Sequence, residues 1–296
     1  MKFLNYYKYF FVLSGAFVVI GVLALAIFGL NLGIDFRGGT VVELSFNEPV
    51  TAQDVRGVLA EQGLENAQVQ ATDENGIIIR TAVTEKEEND RYFAALREQI
   101  GEYEERRYES IGPVVGEQLS RKALYQLILV SVGIILYIAY AFRKVTRPVS
   151  SWQFGVAAIA ALLHDLIVVL GIFAVLGKVA NIEVDSMFVT AMLTVLGFSV
   201  HDTIIVFDRI RENLRIYAGQ SMEFVVNHSI TQTIARSLNT SLTVLLVLLA
   251  LLLFGGDTIR YFVLALFIGI IAGTYSSIFV ASPILSIWQE RRMRSR

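Results

Sequence analysis

The stretch LTVLGFSVHDTIIVFDRIREN, residues 193–213, is apolar enough to lie in a membrane, yet it carries His201 and Asp202 side by side. An aspartate at the centre of a membrane helix costs about 2.5–3.5 kcal/mol on insertion scales, so keeping one asks for a use. His164 and Asp165 inside LLHDLIVV pose the same question, as does Arg236 at the start of a later apolar run. Ionisable groups within spans face a bundle interior or a water-filled cavity and commonly mark an ion path. A carboxylic acid in apolar surroundings holds its proton, and a guanidinium brought near it favours release. Helix movement that alternates those two environments turns protonation into mechanical bias. One proton crossing the field supplies about 2.3 kcal/mol per 100 mV, enough to shift a two-state equilibrium by more than about tenfold.

Asp202, Arg236, Asp165, His201 and His164 are therefore the candidate proton-relay set. Each has a plainer reading beside this one. Asp202 fits a hydrogen-bonded packing group, and Arg236 fits a basic anchor that snorkels to the surface. Asp165, with no charge partner in its own span, divides evenly between packing and relay. The two His-Asp pairs raise the question of a metal, but adjacent helical residues point about 100° apart, which suits no shared ion. No metal site and no cofactor are expected. The chain has no cysteine, which excludes disulfides, iron–sulfur clusters and thiolate zinc sites. No nucleophile, base and oxyanion constellation supports an enzyme of covalent chemistry, and nothing points to nucleic acid.

The elements that must position these groups follow from hydropathy. Of 296 residues 54% are hydrophobic, in long blocks, and mean hydropathy is +0.57. Spanning a hydrocarbon core of about 30 Å takes roughly 20 apolar residues. Six stretches qualify: 9–30, 123–142, 154–176, 186–207, 238–254 and 261–284. The first resembles a signal peptide, with Lys2 and Lys8 before it and ALA at 24–26, but its length and the five spans behind it favour an uncleaved anchor. Lys2 and Lys8, then Arg143, Lys144 and Arg147, then Arg209, Arg211 and Arg215, and finally Arg291, Arg292, Arg294 and Arg296 all fall on one side. The positive-inside rule makes that side cytoplasmic, with both termini inside. The expected organisation is an N-terminus and first span (1–30), an extracytoplasmic domain (31–122), a five-helix membrane region (123–286) and a basic cytoplasmic tail (287–296).

Charge separates the external domain from the rest. Residues 31–122 hold 18 Asp and Glu against 10 Lys and Arg. There the pattern shortens. TVVELSF alternates Val42, Leu44 and Phe46 on one strand face, and Thr51 offers an N-cap for a helix presenting Val55, Val58 and Leu59 up to Gly63. AQVQAT and GIIIRTAV read as a strand pair, EENDRYFAALREQIG as a helix with Tyr92, Phe93, Leu96 and Ile100 inward, and EYEERRYESIG as a last strand. The order β-α-β-β-α-β is that of a ferredoxin-like sandwich. In GIDFRGG, Gly38 and Gly39 suit a tight exit from membrane to sheet, with Asp35 and Arg37 holding that junction electrostatically. Ala265, Gly269, Gly273, Ser277 and Ala281 recur every four residues, a stripe for close helix approach either to a partner or within the bundle. IYAGQSMEFVVNHSITQTIA (216–235) reads as an amphipathic helix on the cytosolic surface.

GIDFRGGT (33–40) after the first span, SIGPVVGEQL (110–119) before the second and GFSVHDTIIVFDRIREN (197–213) across the fourth resemble the SecF branch of the SecD/SecF protein-export family, within the RND superfamily. The resemblance covers the whole chain. It implies a mainly α membrane protein, a six-helix RND-like bundle with one α+β ferredoxin-like extracytoplasmic domain, in the bacterial plasma membrane. It also implies a SecD-like six-span partner, the SecYEG channel, the SecA motor and a translocating preprotein as companions. The implied role is accessory: the proton-motive force is used to promote late preprotein translocation. The family's functional aspartate falls at Asp202 and its functional arginine at Arg236, and Gly33, Asp35, Arg37, Gly38 and Gly39 fall in its junction motif. The chain departs from the family pattern at His201, where asparagine is usual. An imidazole titrates near neutral pH, so His201 either substitutes for the amide's hydrogen bonding or shares the proton of Asp202. Two other readings compete: an RND-like small-molecule or lipid exporter subunit, and a translocon scaffold that transduces nothing. A single modest external insert favours protein export over drug efflux.

Overall fold

The computed structural model describes residues 6–65, 67–72, 75–82, 85–143 and 151–294. Lys2, Lys144, Arg147 and Arg296, which carry part of the orientation reading, lie outside the described residues, as do the side chains of Arg291, Arg292 and Arg294. In chain order the elements are α1 (Tyr7–Phe28), α2 (Ile34–Arg37), β1 (Gly39–Phe46), α3 (Ala52–Glu61), β2 (Gln68–Ala71), β3 (Gly76–Thr81), α4 (Lys86–Gln99), β4 (Tyr103–Ile111), α5 (Pro113–Ala141), α6 (Ser151–Ala180), α7 (Ser186–Ile216), α8 (Met222–Phe254), α9 (Asp257–Ser276) and α10 (Ser282–Arg294), with a π-turn over Ser277–Ala281 between the last two. They form two compact units, one of residues 32–124 and one of residues 1–31 with 125–296.

The smaller unit is an antiparallel sheet in the order β2-β3-β1-β4, with α3 and α4 packed on it. That order with a βαββαβ succession is the ferredoxin-like arrangement. Alternation along the strands selects its core: Val42, Leu44 and Phe46 of β1 and Ile77 and Ile79 of β3 are buried with Val55, Val58, Leu59, Phe93 and Leu96 of the helices. Each such large side chain contributes about 1.5–3 kcal/mol when fully buried. α3 starts on a capping box, the Asp54 amide donating to Thr51 Oγ1 at 3.3 Å and the Thr51 amide to Asp54 Oδ2 at 3.2 Å. Those Thr51 donors hold the Asp54 carboxyl below its usual range. The inner face of α4 also carries a polar group that periodicity passes over. Asn89 is fully buried and donates to Thr40 Oγ1 at 3.2 Å and to the Tyr108 hydroxyl at 3.3 Å, pinning α4 to β1 and β4.

The larger unit makes this a multi-pass membrane protein. Six helical runs are long and apolar enough to cross a bilayer: α1, α5, α6, α7, α8 and the α9–α10 run, Thr258–Gln289. α6, α7 and α9 are the buried centre, while α5 and α8 expose most of their apolar windows. Close approach in lipid relies on small residues rather than on water exclusion. Gly21 of α1 meets α6, where a Cβ would lie 2.8 Å from the Ile167 carbonyl oxygen.

One expectation is corrected, and one open alternative is decided. Residues 222–235 are not a separate surface helix: they are the first part of α8, continuous with the span to Phe254, about 50 Å in all. Met222, Val225, Val226 and Ile230 are buried in one cluster with Val206, Phe207 and Ile210 of α7, so the apolar face meets protein. The hairpin is also tied by Asn213, which donates to Ser229 Oγ and to Gln232 Oε1, each at 2.9 Å. The small-residue stripe, suited by its spacing either to a partner or to packing within the bundle, faces α7 at Gly269 and Gly273. A Cβ on Gly269 would strike Val195, and one on Gly273 would lie 2.8 Å from Ser199 Cβ.

Candidate functional site

Asp202 sits on the buried face of α7, 1% exposed. Its Oδ2 receives long contacts of 3.4 Å from Ser241 Oγ of α8 and from Thr274 Oγ1 of α9. These two hydroxyls lie 2.6 Å apart and bridge α8 to α9. The other oxygen, Oδ1, has no partner at hydrogen-bond geometry among the described residues, and neither has the buried Ser237 Oγ, although the Ser237 hydroxyl lies close enough to act on the Asp202 carboxyl. A buried carboxyl oxygen without a donor is disfavoured as an anion and is well suited to carry a proton.

One turn before it, Ser199 connects Asp202's helix to the second carboxylate. Ser199 Oγ donates to Asp165 Oδ2 at 2.5 Å, and Ser276 Oγ of α9 donates to the same oxygen at 2.8 Å. His164 Nδ1 lies 3.0 Å from Asp165 Oδ1. This corrects the reading that Asp165 has no partner in its own span: the Cβ directions of neighbours diverge, but an imidazole and a carboxylate are long enough to meet. Thr203 Oγ1 donates to the Ser199 carbonyl at 3.1 Å and lies 2.8 Å from Ser277 Oγ. Two carboxylates from α6 and α7 thus each meet a set of hydroxyls, and the two sets lie along the same α7–α9 contact. Among the described residues no group of three or more His, Cys, Asp or Glu is placed to hold a metal ion.

His201 and Arg236 do not join them. Both are exposed, and neither has a hydrogen bond or ion pair among the described residues. His201 continues an exposed line of small and polar residues on α7, with Thr190, Thr194 and Gly197; Arg236 does so on α8, with Asn239 and Thr243. Thr190, Thr194 and Thr243 return their hydroxyls to their own helices at 2.8–3.0 Å. His201, Arg236 and Asn239 have no such relief.

In the smaller unit the junction motif is built by backbone approach. Gly38 and Gly39 have φ of 79° and 129°, and a Cβ at Gly39 would lie 2.5 Å from the Thr81 carbonyl oxygen. A Cβ at Gly116 would lie 2.7 Å from the Gly38 nitrogen, so GIDFRGG and SIGPVVGEQL pack main chain to main chain. Gly33 is the N-cap of α2, Asp35 is in its first turn, and Arg37 is exposed.

A family model described as "Protein export membrane protein SecD/SecF, C-terminal" matches residues 92–291, which include both buried carboxylates. The chain belongs to the SecD/SecF family. A second model, the SecD/SecF GG motif, matches residues 23–50 and so takes in Gly38 and Gly39. Among curated relatives, the protein translocase subunit SecF of Thermobaculum terrenum is 49% identical over 95% of this chain and 92% of its own length. That of Anaerolinea thermophila is 38% identical over 97% of this chain and 93% of its own. The crystal structure of SecDF, a translocon-associated membrane protein from Thermus thermophilus, superposes with a TM-score of 0.86 at 33% identity, over 98% of this chain and 39% of that longer one.

The hydroxyls around the two carboxylates are what sequence reasoning missed. Ser199, Thr203, Ser241, Thr274, Ser276 and Ser277 lie in apolar runs, where single Ser and Thr residues are common and return to their own backbone. The signal that was available is density: GTYSS, 273–277, crowds three hydroxyls and a phenol into five residues of a span.

Proposed function

We propose that the chain is a subunit of a Sec-type protein translocase that uses the proton-motive force to promote late preprotein translocation across the bacterial plasma membrane. Its expected companions are a SecD-like six-span subunit, the SecYEG channel and the SecA motor. Support for the export role comes from the translocase relatives, which match nearly end to end. The proton reading rests chiefly on one observation: the Asp202 carboxyl is buried, touched only at long range by hydroxyls, with one oxygen that has no partner at hydrogen-bond geometry among the described residues. Asp202 takes the proton in this reading. Arg236, on the neighbouring helix, favours its release when α7 and α8 rearrange.

Lipid supplies no partner for an exposed imidazole, guanidinium or amide. His201, Arg236 and Asn239 therefore support a second subunit or a water-filled cleft against the α7–α8 face. Asp202→Asn keeps size and hydrogen-bonding ability while removing the titration, and Arg236→Met removes the guanidinium. In membrane vesicles at matched complex abundance, each should lower the proton-dependent part of late export by about tenfold or more, the bias one proton supplies at 100 mV. SecA-driven first steps should persist. Normal export by both variants across a range of membrane potentials would leave only the scaffold reading.

A further inference from the structure

Asp165 and Asp202 are both buried carboxylates in one helix bundle, with opposite surroundings. Asp165 is engaged on both oxygens, by His164 on its own helix, by Ser199 of α7 and by Ser276 of α9. Its Oδ2 accepts two hydroxyls and its Oδ1 meets the imidazole, so the carboxyl is held from three helices at once. Asp202 has one oxygen with two long contacts and one without a partner at hydrogen-bond geometry among the described residues, the Ser237 hydroxyl lying near.

Ser199 is the mechanical link between the two. It lies one turn before Asp202, where α7 and α9 pack closely: a Cβ on Gly273 would sit 2.8 Å from Ser199 Cβ. Its carbonyl also accepts from Thr203 Oγ1 and from Ser277 Oγ, at 3.1 and 3.3 Å. On α9, Thr274 reaches Asp202 and Ser276, two residues on, reaches Asp165. Tyr275 between them points outward to α1, accepting from Ser14 Oγ at 3.0 Å and donating to the Phe10 carbonyl at 3.2 Å. Rotating α7 enough to move Asp202 off Thr274 must therefore strain the bond from Ser199 to Asp165.

We propose that Asp165 is a positioning residue and not a carrier: with Ser199 and Ser276 it clamps α6, α7 and α9 so that Asp202 faces the Thr274 and Ser241 hydroxyls. This rests on Asp202 carrying the proton. The titratable groups near the clamp and Asp202 are His164 on α6, Asp202 and the neighbouring His201 on α7 and Tyr275 on α9; α1 contributes the Ser14 hydroxyl, and α8 contributes the Ser237 and Ser241 hydroxyls.

The test is pH-difference infrared spectroscopy of the purified complex with its partner subunit, read together with proton-dependent export. A carboxyl that gains a proton gives a C=O stretch that its Asn variant loses. Asp202→Asn should remove such a band and Asp165→Asn should remove none. Ser199→Ala and Ser276→Ala should each shift the pH midpoint of the Asp202 band and lower proton-dependent export about two- to tenfold, the range of one net hydrogen bond. Ser199→Thr, which keeps the hydroxyl, should restore both. The two alanine variants carry the test if Asp165→Asn fails to assemble. A titrating band lost in Asp165→Asn overturns the clamp, as do alanine variants with unchanged midpoint and export. An Asp202 without a band, whose Asn variant exports normally, overturns the proton-coupling reading instead, and the clamp with it.

Discussion

An oxygen such as Asp202 Oδ1 gives up water on insertion and receives no donor in exchange, a loss of order 1–3 kcal/mol even for a neutral group. That deficit was legible in outline, because an aspartate in an apolar run is conspicuous by type alone. Its relief was not legible, because the hydroxyls that engage Asp165 come from residues 34 and 111 positions away. Adjacency in sequence misled at His201 in the other direction. The pair His164–Asp165 makes contact, while His201 turns outward from α7 with no bond to Asp202. We read His201 as a replacement for an amide on an exposed face, within electrostatic reach of Asp202 but not bonded to it. His201→Asn should leave the pH profile of proton-dependent export unchanged between about pH 5.5 and 8, where an imidazole titrates. A displaced profile would mean that the imidazole shares the proton of Asp202 after all.

Helical period reports that one side of a helix is apolar and says nothing about what covers it. Residues 216–235 have that period, and the cover is α7 rather than lipid, so α8 runs unbroken through a stretch whose polarity suggested a surface. The π-turn at Ser277–Ala281 has a signature in Pro283, which has no N–H for the helical ladder and whose ring crowds the preceding turn; Ser282 Oγ donates to the Ser277 carbonyl at 2.9 Å. Such turns recur at functional sites, and this one begins directly after Ser276 of the clamp. By contrast, the strands and caps of the smaller unit were readable because each is a local decision. Asp54 offers a check with a definite sign. Its carboxyl is held below the usual carboxylate range by Thr51, so the cap's contribution is fully present above that range and is lost as pH falls through the lowered, folded-state value. Hydrogen exchange of the α3 amides in the full-length protein should be faster in Asp54→Asn than in the parent at about pH 6, and the two should converge at about pH 2. Equal rates at both would remove the capping box from the stability of α3.

At the scale of the molecule, charge segregation carries the most information. The acidic stretch 31–122 sits between two apolar spans, and basic loops alternate with apolar blocks through the rest, a pattern that insertion reads only over short loops. Hydropathy counts six spans on that basis, and the helices outrun the apolar blocks that announced them, α5 starting at Pro113 and α7 ending at Ile216. Those extensions are polar and helical, so composition ended each block too early without altering the count. An even number of spans puts both termini on one side, and the sign of the short loops chooses which. Reporter fusions after residues 145, 215 and 296 should therefore report the cytoplasm, and a fusion after residue 75 the opposite side. The fusion after residue 75 is the decisive one. If it reports the cytoplasm while residue 215 reports the outside, the acidic domain cannot meet an emerging preprotein. Asp202, a short way into α7 from Arg209, would then exchange its proton from the outer face, and the direction of coupling proposed for Asp202 and Arg236 would be reversed.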